Sequence, residues 1–185
     1  MSSLQRITFS GLLISLSLIL SRIGVSFAFG GSITLFSLVP MIIISLKYGY
    51  KWGSISGIIL GILHLMTTNV KFQGLTLYSV VISIILDYII PDMIIGLSSY
   101  FILKFKGKKY DLFIGIIIAF VLKLIIHILS GVIVWYDILE EKPMMSPVIY
   151  STIYNSSYVI PELIINLLGI SIIKKTLPNL IKPEL

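Results

Sequence analysis

Six apolar stretches follow one another along this chain with only short breaks, and few ionisable residues interrupt them. Hydrocarbon makes a buried charge expensive, so each Asp, Glu, His or Lys kept inside such a stretch marks a candidate functional position. Hydrophobic residues make up 57% of the chain and charged residues 12%, against about 25% charged in a soluble domain. A soluble fold is excluded on that ground. The expected fold class is an all-α integral membrane protein: a six-transmembrane-helix bundle forming a single domain over 1–185, with both termini cytoplasmic. The absence of cysteine excludes disulfides, thiolate metal sites and cysteine nucleophiles.

A spanning helix needs about 20 apolar residues. The segments read as 5–26, 32–46, 52–67, 76–103, 111–136 and 148–174, with the second and third on the short side. Arg6, the apolar run behind it and Ser26-Phe27-Ala28 loosely have the shape of a cleavable signal. The later segments are equally apolar, so the first reads as a retained helix. Lys and Arg set the orientation. One side collects Arg6, Lys47, Lys51, Lys104, Lys106, Lys108, Lys109, Lys174, Lys175 and Lys182; the other collects only Lys71 and Lys142. The basic excess thus follows membrane topology and does not point to nucleic acid.

Gly53, Gly57 and Gly61 place small residues four apart on the third segment, the spacing that lets two membrane helices approach closely. Internal packing is the favoured reading. Gly11 and Ser15 form a weaker small-residue pair on the first segment, suited either to internal packing or to a flat face for another membrane subunit.

The polar residues cluster in depth. At about 1.5 Å per residue, Asp87 in the segment starting at 76, His127 in the one ending at 136 and Asn155 in the one starting at 148 meet in the outer half of the bilayer. Asp92, Lys123 and Glu162 lie deeper. Lys123 with Glu162 or Asp92 reads first as a structural ion pair, since membrane charges usually pair with one another. His127 alone would read as a satisfied interior histidine, and Trp135 and Tyr150 as interfacial anchors or a pocket roof. Asp87 has no obvious lysine or arginine partner, so a cationic ligand suits it. His64 and Arg22 stay ambiguous. Pro91 and Pro161 directly precede Asp92 and Glu162 and are expected to kink their helices.

No nucleotide-binding G-x-x-x-x-G-K-[ST] and no H-E-x-x-H occurs. Gly30-Gly31-Ser32 could suggest an intramembrane serine protease, but neither histidine lies on the last segment. The reading is therefore not an enzyme.

The run His127-Ile128-Leu129-Ser130-Gly131-Val132-Ile133-Val134-Trp135, then Tyr150 through Asn155 to Tyr158, Pro161 and Glu162, together with Leu86-Asp87-Tyr88, resembles the thiamine-binding S component of energy-coupling factor (ECF) transporters. The resemblance implies capture of thiamine, with no cofactor or metal, at the plasma membrane of a bacterial cell. It implies a transmembrane T component and two cytoplasmic ATPases as partners. Carried over by position, it assigns the pocket to Asp87, Tyr88, His127, Trp135, Tyr150 and Asn155. It turns Gly11 and Ser15 toward the T component. The family commonly has glutamate where this chain has Asp87. Some members also place a tryptophan and a glutamate around the first outer loop, where the matching Gly31 to Leu35 has neither. Asp87 suits either thiamine's cationic thiazolium or its exocyclic amine, the aromatic faces of Trp135, Tyr150 and Tyr88 suit its rings, and Asn155 and His127 offer the donors and acceptors that set orientation. Rival readings are an S component for another vitamin, such as riboflavin, a membrane scaffold, and an autonomous secondary transporter.

Overall fold

The fold is given by a computed structural model that describes residues 2–26, 32–67, 72, 74–107, 110–139 and 141–184. Gly30, Gly31, Lys71, Lys108, Lys109 and the Phe27-Ala28 part of the signal-like stretch lie outside the described residues. Helix α1 (Ser3–Leu20) starts with a capping box, in which the Ser2 hydroxyl accepts from the Gln5 N–H and the Gln5 side chain accepts from the Ser2 N–H. It stops short of the expected residue 26. Strands β1 (Gly24–Ser26) and β2 (Ser32–Thr34) pair antiparallel, with Val25 opposite Ile33. The β-branched Val25, Ile33 and Thr34 favour an extended ribbon, and Gly24 weakens further helical turns.

Helix α2 (Val39–Tyr48) consequently begins later than the expected 32. Its ten residues rise only about 15 Å, half the hydrocarbon thickness. Met41, Ile42 and Ile44 are wholly buried. Helix α2 is thus a core element wrapped by its neighbours. Helix α3 (Tyr50–Thr67) follows after Gly49, close to the expected 52–67.

The fourth segment is broken where one helix was expected. It consists of α4 (Leu77–Ser83), a π turn (Ile84–Ile89), α5 (Ile90–Gly96) and α6 (Ser98–Lys104). Pro91 explains the π turn. Its ring crowds the carbonyl four residues back, that of Asp87, and it has no N–H to offer. The bonding shifts one residue, so that the Ile90 N–H reaches the Ile85 carbonyl. Helix α7 (Asp111–Ser130) continues through a second π turn (Gly131–Trp135) into a short 3₁₀ turn ending at Ile138. Helix α8 (Pro147–Thr176) runs through Pro161 and is capped by Ser146, which accepts from the Ile149 N–H.

Among the described residues, four helical stretches are long and apolar enough to cross a membrane: Ser3–Leu20, Leu77–Gly96, Asp111–Ile138 and Pro147–Thr176. Helix α2 is too short, and α3 is diluted by three glycines, Lys51 and His64. Every expected segment is found at least partly helical, but among the described residues four and not six meet the length and composition of a span. Rows of isoleucine and leucine at four-residue steps, such as Val121, Ile125 and Leu129 on α7 and Ile160, Ile164 and Leu168 on α8, face outward. In water such rows would be an aggregation hazard; against lipid they are solvated.

The centre is built by α2, α3, α5 and α7, with Ile44, Leu60, Ile95, Ile116 and Phe120 at its heart. The glycine row of α3 packs inside the bundle, as favoured. A Cβ at Gly53, Gly57 or Gly61 would run into the carbonyl of Gly96, Asp92 or Tyr88. Only glycine admits that approach, and it fixes the helix carrying Asp92 against the helix carrying His64.

Candidate functional site

A cavity of about 260 Å³ opens among these helices. Its wall takes Arg22 from just after α1, Thr34 from the end of β2, Ser37 from the stretch joining β2 to α2, and His64 from α3. Asp87 and Tyr88 enter from the π turn, Pro91 and Asp92 from α5, Lys123 and His127 from α7, and Tyr158 and Glu162 from α8. The volume is just below the roughly 300–1,000 Å³ of typical small-ligand sites. A second groove of about 410 Å³ lies at the other end of the bundle, against Phe9, Lys47 and residues 176–180, and its lining is mostly apolar.

Charges in the wall pair across helices. Lys123 Nζ donates to Glu162 Oε2 at 2.8 Å, and the Thr34 hydroxyl donates to Glu162 Oε1 at 2.8 Å. The alternative of a Lys123–Asp92 pair is thereby corrected: Asp92 Oδ2 lies 2.7 Å from His64 Nδ1. Asp92, Lys123 and Glu162 are all nearly inaccessible, and each has a partner, as buried charged side chains require. His64, left ambiguous by the sequence, becomes a wall residue through this contact.

Asp87 has different company. The Trp135 indole N–H donates to its Oδ2 at 2.7 Å, and His127 Nδ1 lies 3.5 Å from its Oδ1. Trp135 rides on the second π turn, so both members of this contact sit on irregular helix. Such turns re-aim side chains and recur at functional sites. Neither lysine nor arginine bridges Asp87 among the described residues. Three acidic residues (Asp87, Asp92, Glu162) share the cavity wall with Lys123, Arg22 and the two histidines.

Of the expected site residues, Asp87, Tyr88 and His127 line the cavity, and Trp135 holds Asp87. Asn155 does not line it. Its Nδ2 donates to the backbone of His127 and Ser151, and its Oδ1 accepts from the Tyr158 hydroxyl at 2.5 Å. Tyr150 also stands off. It stacks on Tyr154, which meets Tyr158 edge-on, and Tyr158 in turn meets His127. Tyr150, Tyr154 and Tyr158 thus form a ladder that reaches the cavity at its last rung. Tyr158 was not singled out as a contact residue, although its four-residue spacing from Tyr154 carried that signal. Thr34 was missed for a different reason: only the β hairpin brings it to Glu162. Gly11 and Ser15 lie on the exposed side of α1, and a Cβ at Gly11 would meet nothing within 4 Å.

Comparison with known proteins agrees with this architecture. The sequence model of the family described as Thiamine transporter protein (Thia_YuaJ) matches residues 7–182. The thiamine transporter ThiT of Bacillus subtilis (strain 168) is 28% identical over 176 residues, spanning 90% of this chain and 86% of that protein. A solved structure of ThiT from Listeria monocytogenes superposes with a TM-score of 0.70 at 24% identity, covering 97% of this chain and 96% of that one, and supports the fold. The resemblance read from the fourth to sixth segments is borne out, and the protein is a multi-pass protein of the bacterial plasma membrane. Spanning all but a few residues at either end, the family match makes this chain a member of the thiamine transporter family.

Proposed function

We propose that this chain is the substrate-capture subunit of an ECF-type transporter. It takes thiamine with high affinity from outside into the cavity around Asp87. It passes the vitamin inward with a T component and two ATPases. The observation that carries the reading is Asp87 itself: a carboxylate in the cavity wall, oriented by Trp135 and His127 and bridged to no lysine or arginine of its own chain among the described residues. A permanent cation such as thiazolium completes that site. Tyr88 and Tyr158 supply aromatic faces, and cation–π attraction adds about 0.5–2 kcal/mol. A neutral vitamin of the riboflavin type would leave the carboxylate unmatched. A scaffold would have no use for a polar cavity. In the proposed orientation both termini are cytoplasmic, the cavity opens outward, and α2 and α3 complete a six-helix membrane domain.

Tryptophan fluorescence tests the capture step. The chain has two tryptophans. Trp52 is held at the opposite end of the bundle, under the Arg6 guanidinium and donating to Ser10. Only Trp135 adjoins the cavity. Thiamine is expected to quench the purified protein in detergent, and Trp135→Phe to abolish the signal and weaken binding. Quenching by riboflavin with no response to thiamine would transfer the site to another vitamin. Silence toward every vitamin would favour a scaffold.

The partner face rests on α1. Gly11 and Ser15 leave a shallow, small-residue strip flanked by exposed Ile7, Leu12 and Ile19, which suits close helix approach in lipid. Gly11→Leu is expected to bind thiamine as the native chain does, yet to lose co-purification with a co-expressed T component and ATPases. Full co-purification would place the partner on another face.

A further inference from the structure

The cavity holds two carboxylate–imidazole contacts, and the thiazolium reading uses only one. Asp87 faces His127 on α7, and Asp92 faces His64 on α3. In a regular α-helix residues five apart point about 140° away from each other. The π turn at Ile84–Ile89, whose bonds close five residues on, narrows that angle. Asp87 and Asp92 thereby line one cavity, with Tyr88 and Pro91 between them. Along the helix they are separated by about 7.5 Å, at about 1.5 Å per residue.

The third carboxylate, Glu162, is spent: one oxygen takes Thr34 and the other Lys123. Asp92 differs, because His64 engages its Oδ2 and a carboxylate has further lone pairs on its other oxygen. Its position is rigid as well. The carbonyl of Asp92 itself packs on Gly57, and that of Tyr88 on Gly61. The side chain therefore presents a fixed acceptor in the wall, deeper along α5 than Asp87.

We propose that Asp92, oriented by His64, is a second ligand-binding group of this cavity. It accepts an N–H of the exocyclic amine on thiamine's aminopyrimidine, while Asp87 faces the cationic thiazolium. The inference rests on the capture reading above and deepens it. Two acidic residues about 7.5 Å apart in rise along the helix axis match a ligand of two linked rings, one carrying the charge and the other the hydrogen-bond donor. The specificity would then come from donor recognition at depth, with charge recognition above it.

Oxythiamine, in which a carbonyl oxygen replaces the exocyclic amine, separates this role from a structural one. The full-length protein is titrated with thiamine and with oxythiamine, in native, Asp92→Asn and His64→Gln forms. Native protein is expected to prefer thiamine. Asp92→Asn is expected to lose about 10–100-fold for thiamine, the scale of a hydrogen bond to a charged group, with oxythiamine nearly unchanged. His64→Gln shifts the ratio in the same direction by less. Parallel weakening of both ligands, or no weakening, in a variant that elutes as the native protein does would overturn the inference and leave thiamine capture standing. Should Asp92→Asn fail to fold, the ratio in His64→Gln decides by the same criterion. Failure of the native protein to bind thiamine would instead overturn the capture reading and this inference with it.

Discussion

Asp87→Asn is expected to weaken thiamine binding by about 2–5 kcal/mol, the usual loss when one side of a buried charged contact is removed. The change keeps the size of the side chain and an oxygen for the Trp135 indole, so the local geometry survives. What disappears is the negative charge. The ligand-free protein loses little by this, because among the described residues the native carboxylate is held by an indole and a histidine and by no lysine or arginine. Calorimetric titration of thiamine, set beside thermal unfolding without ligand, checks both halves. A variant that binds within a few-fold of native protein would mean that the cation is met elsewhere in the wall.

Lys123→Met should destabilise the protein by about 3–5 kcal/mol, because it leaves Glu162 charged and unmatched in a nearly inaccessible position. The damage is expected to spread through Thr34, whose hydroxyl depends on the same carboxylate, to the hairpin formed by β1 and β2. The double variant Lys123→Met with Glu162→Gln removes both charges and keeps an acceptor for Thr34. It should recover most of the loss, since a buried pair replaced as a unit is often close to neutral. Thermal unfolding in detergent reads the difference. If the single variant melts with native protein, the pair does not hold the fold. If only thiamine affinity falls, Lys123 belongs to the ligand.

Much of the bundle was legible because membrane insertion is decided segment by segment. The third, fifth and sixth segments match α3, α7 with its extension, and α8 closely. The row of Gly53, Gly57 and Gly61 announced a close helix contact, though not which helix would supply it. The first and second segments misled in the same place. Hydropathy continues smoothly across residues that the β ribbon takes out of helix, and strand pairing between 24–26 and 32–34 is a non-local event. The fourth segment misled at Pro91. The proline predicted a break in the regular helix, and relief of its clash with the Asp87 carbonyl takes the form of a π turn.

The candidate site was half legible. Asp87, Tyr88 and His127 were placed by depth and family likeness, and they line the cavity. Asn155 and Tyr150 carried equal sequence signals, yet their side chains serve Tyr158 and the tyrosine ladder. Depth along a helix is readable from residue number. Azimuth is not, once a π turn or proline has rotated the chain.

From the amino acids alone came the solvent of this protein and the approximate depth of its polar groups, because transfer into hydrocarbon is a property each segment has by itself. Which charge meets which was decided only by tertiary structure. Lys123 went to Glu162, His64 took Asp92, and Asp87 was left with Trp135 and His127. Those pairings depend on ångström-scale approach between helices distant in sequence, and the electrostatic energy that selects among them exists only after the helices have packed.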